Sequence, residues 1–345
     1  MTGGLNTATL PATTGFPTSC NVIVKNGETY TGSAGRAKIL SGFPADLKPL
    51  LWPQQAVGVK IEGSSWVTAH NPGRWSVPTT VTLHVDKTNG SNSNDGLAAG
   101  SGAAVQDAQT AWNIQQYQFD NNGTSPIIAM ALGQTHTVAL SMGGSPVGTN
   151  LVQLSPDGNG TFTWTNGGPS ITLADEAELN LDLNYYGSSG AATFGCNSSD
   201  AASTGNIYLH NQTVVLDLEG TPIWNPAGPN DNFLFCDGQC QFTIGNGITQ
   251  ATGGGANYVI NMSAGGHGTQ SGTINASASG GAVGVYYLFG GAMLNIGTAT
   301  GAGWSSIGTS KVFGHATVVT NGITLAGGYS VGTSGVACTS LTSSC

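Results

Sequence analysis

Two alternating runs of the chain carry the residues best suited to acid–base chemistry. The first, ITLADEAELNLDLNYYG, holds Asp175, Glu176, Glu178 and Asp182; the second, VVLDLEG, holds Asp217 and Glu219, and Asp231 and Asp237 follow. Glycosidic bonds are cleaved by two carboxyl groups that flank the bond. Asp182 in LNLDLN and Asp217 in VVLDLE stand in like local contexts, so a fold that stacks these runs brings Asp182, Asp217 and Glu219 onto neighbouring strands. If the chain is an enzyme, these three are the expected catalytic set of a glycoside hydrolase. A lyase needs a base and a cation to neutralise a uronate. Beyond Lys87 only Lys311 is basic, and from position 238 onward there is no Asp or Glu at all. The expectation is therefore a chain without catalytic residues.

Other reactive types give bland readings. His136, His210, His267 and His315 are dispersed with no Ser or Cys elbow beside them, and read as turn or surface residues. GGHG at 265–268 reads as a tight turn. GGGANYV and GVYYLFGG lack the Lys-Ser/Thr ending of a phosphate-binding loop, so no nucleotide cofactor is expected, nor any other. The six cysteines, Cys20, Cys196, Cys236, Cys240, Cys338 and Cys345, are disulfide candidates in any of about fifteen pairings. Cys236 and Cys240 form a CxxxC pair with no second pair at zinc spacing, so they read as structural, free or bridged. In LHVDKTNGSNSNDGLAAGSG, Asp86 and Asp95 offer hard oxygen ligands, but calcium-loop spacing and a closing Glu are missing. Asx turns are expected there and no metal. Trp164, Tyr186, Trp224 and Tyr287 are candidates for stacking on sugars, with burial at the core or a subunit interface as the alternative.

Composition limits what such groups can serve. Of 345 residues 39% are hydrophobic, only 7% are charged and 54 are Gly, so the surface must be Ser, Thr, Asn, Gln and backbone. Residues 1–80 carry a net +3 and the remainder −12. Clustered Lys and Arg are absent, which excludes a nucleic-acid partner. No window approaches the roughly 20 apolar residues of a membrane span. The opening MTGGLNTATLPATTGFP lacks a charged stretch followed by an apolar one, so no secretory signal is expected.

The elements that must hold these residues fall into three segments. Residues 1–80 are rich in Pro and read as a small β-rich module of short strands. Residues 81–122 give a strand (TVTLHVD), the Asn/Gly loop, and an amphipathic helix through Ala104, Val105, Ala108, Ala111, Trp112, Gln115 and Phe119, capped by Ser101. Residues 123–345 show short β-branched runs between Gly, Asn and Ser turns. Their centres, Leu181, Leu216, Phe242, Ile274, Leu294 and Val318, recur at the spacing of a repeat architecture. The fold expected is all-β: a parallel β-helix (solenoid) body whose first rung is capped by the α-helix, preceded by the N-terminal module. A β-sandwich is the competitor.

Val85, Asp86, Asn89, Gly90, Ser91, Ser93, Asn94, Asp95 and Gly96, with Asn92 replacing the usual acid, resemble the opening of pectate-lyase-like right-handed β-helix proteins, above all bacteriophage tail spikes and related virion proteins. The resemblance spans about forty residues and implies a right-handed solenoid, an N-terminal virion-attachment module, and a homotrimer that contacts other virion proteins and host surface glycan. It implies a structural tail spike or fibre for host attachment. A capsid head fibre or decoration protein is the second reading, and an envelope-polysaccharide depolymerase the third. The implied location is the virion, made in host cytoplasm and released by lysis.

Overall fold

The computed structural model describes residues 6–17, 21–27, 38–41, 50–70, 73–149, 151–166, 168–187, 190–196, 206–210, 214–226, 232–250, 256–275, 282–296, 310–320, 329–331 and 335–338. They divide into two compact units, 1–126 with 146–149, and 127–145 with 150–345.

In the first unit, Asn21–Lys25, Ala56–Glu62 and Ser65–His70 form an antiparallel sheet. Alternation in AVGVKIE turns Val57, Val59 and Ile61 inward onto Leu51 and Trp66. Asn6–Thr9 and Lys38–Ser41 pair in parallel beside it. Residues 1–80 and 81–122 share one core: Trp52 stacks on Trp75 at 5.5 Å, and both meet Phe119 edge-on at 4.5 and 5.4 Å. Phe119 follows the helix Ala108–Gln118. The cap of that helix is Asp107, whose Oδ1 accepts from Thr110 N at 2.8 Å, and not Ser101. Ala104 and Val105 are buried for a different reason: Val105 bridges Val85 in parallel, and the backbone of Ala103 and Ala104 closes the Asn/Gly loop.

The second unit is a parallel β-solenoid over residues 127–319 built of three sheets, the middle one described from Thr135 to Asn275. The first sheet is built from Ile127–Met130, Leu151–Pro156, Glu178–Asp182, Val215–Glu219, Gln241–Ile244, His267–Gln270, Met293–Ile296 and Thr317–Val319, with Val336–Cys338 paired beyond them. The middle sheet comprises Thr135–His136, Thr161–Asn166, Ala191–Cys196, Ile223–Asn225, Gly247–Gln250 and Thr273–Asn275. The third sheet includes Leu140–Gly143, Ile171–Ala174, Ile207–His210, Leu234–Asp237, Ala256–Ser263, Ala282–Leu288 and Ser310–Val312. Every strand pairs in parallel with its counterpart one rung away, so like positions stack into columns with successive rungs about 4.8 Å apart.

Register corrects the expected strand centres. Leu179, Leu216, Phe242, Gly268, Leu294 and Val318 form one inner column. Leu181 stands two residues along, opposite Leu218, and Ile274 belongs to the middle sheet. The inner column of the middle sheet is His136, Trp164, Phe194, Trp224 and Gln250. Large rings fill the interior there, and His136, expected at a turn or surface, is 3% exposed among them.

The turn from third to first sheet has a recurring form. Asp175–Glu176, Ala264–Gly265, Gly290–Gly291 and Gly314–His315 each place two successive residues at positive φ. At Asp175, Glu176, Ala264 and His315 a side chain bears the left-handed conformation that Gly adopts without steric cost.

Candidate functional site

Alternation in ELNLDLN and VVLDLEG buries the leucines and turns the polar residues outward. Register then sets Glu178 beside Val215, Asn180 beside Asp217 and Asp182 beside Glu219. The three candidate carboxylates thus lie together on two adjacent rungs of the outer face of the first sheet. Glu219, not Asp217, is the direct neighbour of Asp182. Partial burial, then the charges of Asp182 and Asp217, hold the Glu219 carboxyl above its ordinary range. Asp182 Oδ1 accepts from Asn184 N at 2.9 Å, ending its strand in an Asx turn, and Leu183 N donates to Glu219 O at 2.9 Å, tying that turn to the next rung.

The same turn presents Tyr185 and Tyr186, 46% and 41% exposed, with rings edge-on at 4.7 Å. Tyr186 is therefore a surface ring beside the carboxylates in sequence. On the side toward later rungs, Asp217 is followed in its column by Thr243, Thr269 and Asn295, and Val215 by Gln241, His267 and Met293. Of these, Val215, Gln241, Thr243, His267, Thr269, Met293 and Asn295 line an open groove of about 340 Å³. Gly268 contributes to it a backbone position with no side chain on the inner face. The outer face thus carries the neutral groups Gln241, Thr243, Thr269 and Asn295 beside Val215, His267 and Met293, with Asp217 one rung before Thr243 in the same column.

Two expected sugar-stacking residues are corrected. Trp164 and Trp224 are fully buried, and Trp164 packs flat on Phe194 at 6.4 Å. Neither has a face to offer a ligand. Tyr287 is half-buried on the outer face of the third sheet, 5.0 Å from Phe313, and so lies on a different face from Tyr186. Its neighbour Tyr286 points inward, as alternation requires.

Asp86 and Asp95 sit in turns. Asp86 Oδ1 accepts from Thr88 N at 3.0 Å and Asn89 N at 2.8 Å, and Asp95 Oδ1 from Leu97 N at 3.0 Å. Asn92 accepts from Gln106 N at 2.9 Å and donates to Asp107, fastening the loop to the helix cap. Among the described residues no group of three or more His, Cys, Asp or Glu side chains is placed to hold a metal, and no helix is long and apolar enough to cross a membrane. Cys236 and Cys240 are joined as a disulfide. Cys20 and Cys345 lie outside the described residues, as do the side chains of Cys196 and Cys338.

Sequence reasoning missed a second cluster, on the outer face of the third sheet: Tyr208, His210, Phe235, Asp237 and Ser263. Its signal is the recurrence of Y-x-H, F-x-D and N-x-S in IYLH, LFCD and VINMS, one rung apart. The chain matches no family model, no curated protein and no solved structure.

Proposed function

We propose that this chain is a structural protein of a phage or phage-like particle that attaches to host surface glycan as a tail spike or fibre. The observation that carries the reading is the outer face of the first sheet. Its groove is lined by Gln241, Thr243, Thr269 and Asn295, neutral groups repeating at rung spacing, which suits a polymer with its own repeat. A uronate or phosphate polymer is disfavoured, because the acidic end formed by Asp182, Asp217 and Glu219 repels it. The resemblance of residues 81–122 to the lead-in of tail spikes supports the virion setting and a homotrimer. Purified chain should bind isolated envelope polysaccharide without shortening it, and Thr243→Lys with Thr269→Lys should weaken retention at least tenfold. Unchanged retention by that variant defeats the reading. Antibody label on capsids rather than tail tips would instead favour a head-fibre or decoration protein.

One observation favours the depolymerase reading. A carboxyl kept protonated to higher pH beside two other carboxylates is the division of labour a glycosidase uses, with Glu219 as acid and Asp182 or Asp217 as its partner. Release of reducing ends that is lost in Asp182→Asn and Glu219→Gln would establish it.

A further inference from the structure

Three rungs of the third sheet converge on one carboxylate. Asp237 stands in register with His210 on one side and Ser263 on the other. Its Oδ2 accepts from Tyr208 Oη at 3.4 Å and lies 3.7 Å from His210 Nδ1, and its Oδ1 accepts from Ser263 Oγ at 3.3 Å. Tyr208 Oη is also 2.7 Å from His210 Nδ1. Two residues back on each strand, and so on the same face, Tyr208 and Phe235 are register partners, half-buried, with centroids 5.5 Å apart and planes 30° from parallel. Together they make one apolar platform edged by polar groups.

We propose that this platform is a second sugar-binding subsite, in which Tyr208 and Phe235 stack on a neutral hexose and Asp237, with His210 and Ser263, accepts and donates hydrogen bonds at its hydroxyls. The inference rests on the glycan-binding reading above and adds a site on a different face. A pyranose offers an apolar C–H face and a rim of hydroxyls, so it needs both chemistries within one ring's width. Here they lie on the same two strands.

Two further observations fit a ligand site better than a bare surface. Asp237 lies in the short loop closed by the Cys236–Cys240 disulfide, whose sulfurs leave no room at Gly266: a Cβ there would lie 2.4 Å from Cys236 Sγ. The corner is thus held covalently and sterically, which sets the backbone that carries Asp237 before a ligand arrives. The formal charges along the face also offset one another, Asp237 against Lys311, which lies opposite Tyr287 in the column of Tyr208 and Phe235. A neutral sugar suits that balance, and a chain with a net charge of −9 disfavours an anionic one.

The test is calorimetric titration of the full chain with cellohexaose and with hexagalacturonate. Wild type should bind cellohexaose and not hexagalacturonate. Asp237→Asn and Tyr208→Leu should each weaken binding about tenfold or more, whereas Thr243→Lys with Thr269→Lys should leave this subsite's binding in place. Retained binding in Asp237→Asn and Tyr208→Leu, or no binding of cellohexaose by wild type, overturns the subsite; loss only in the Thr variants overturns it while leaving the groove reading intact. Sedimentation of Tyr208→Leu guards the remaining case. If that variant changes oligomeric state, a second copy covers the platform and the proposal fails.

Discussion

Gly268 and Phe242 offer the sharpest test of the solenoid register. They are partners in the inner column of the first sheet, between Leu216 and Leu294. A Cβ on Gly268 would lie 2.2 Å from Phe242 Cζ and 2.6 and 2.7 Å from the adjoining ring carbons. Carbon atoms settle near about 3.5–4.0 Å, so the ring would have to retreat by more than about 1 Å. Phe242 is 3% exposed and has little space to retreat into. Gly268→Ala should therefore cost about 1–3 kcal/mol by overpacking. Phe242→Leu should cost about 1–2 kcal/mol, from lost transfer energy and the void left over Gly268. The double variant restores a filled column of ordinary aliphatic size, and should be more stable than the sum of the two by about 1–2 kcal/mol. Hydrogen exchange of the 241–244 and 267–270 amides reads the effect locally, which matters because stacked rungs need not unfold as one unit. Additivity within about 0.5 kcal/mol would refute the packing of the ring over this glycine.

Three other expectations concern the charges, the disulfide and the interior. Folding raises the Glu219 pKa above its ordinary 4.5, so in the window above that value the folded chain retains a proton that the unfolded chain has released, and stability falls as pH rises through it. Glu219→Gln should remove that fall, gaining about 0.2–0.5 kcal/mol at pH 7 and nothing well below the window, as read by urea midpoints at both pH values; equal gains would contradict the electrostatic cause. Replacing Cys236 and Cys240 together by Ala should lower stability by about 2 kcal/mol, the entropy of so short a loop, and a thermal midpoint indifferent to the change would mean the link is dispensable. Tyr286→Phe should cost about 1–3 kcal/mol because Gln270, fully buried, loses the hydroxyl that donates to its Oε1, and Gln270→Leu added to it should recover part of the loss.

Strand alternation made the solenoid legible, but rung length hid its register. Leu216, Phe242 and Leu294 were recognisable as equivalent because each step on this sheet covers 26 residues, with Gly268 midway. From Leu179 to Leu216 the step is 37, since a long stretch intervenes, and Leu181 is then the more conspicuous apolar residue. Gly268 was invisible as a core position because its volume is supplied by Phe242 from the next rung. The helix was extended to Ala104 because Ala103, Ala104 and Val105 are buried by loop and bridge contacts that mimic a helical period.

The candidate site divides along the same line. Asp182, Asp217 and Glu219 were legible together because burial of the alternating leucines fixes which residues face outward, so a register slip of two residues exchanges neighbours without dispersing the cluster. Trp164 and Trp224 were misplaced although their surroundings held the answer. In TFTWTN, Thr161, Thr163 and Thr165 share one face, and that face is partly exposed, which sends Phe162 and Trp164 inward. The middle-sheet strands are as short as Thr135–His136 and Ile223–Asn225, too brief for a period to declare itself in isolation. Only the column shows that Thr135, Thr163, Thr193 and Thr249 line one outer row, broken by Ile223. The same logic exposes the Tyr208, His210 and Asp237 cluster: i and i+2 on one strand, and the counterpart a rung away, are as close as sequence neighbours. In a stacked fold, function is read across rungs.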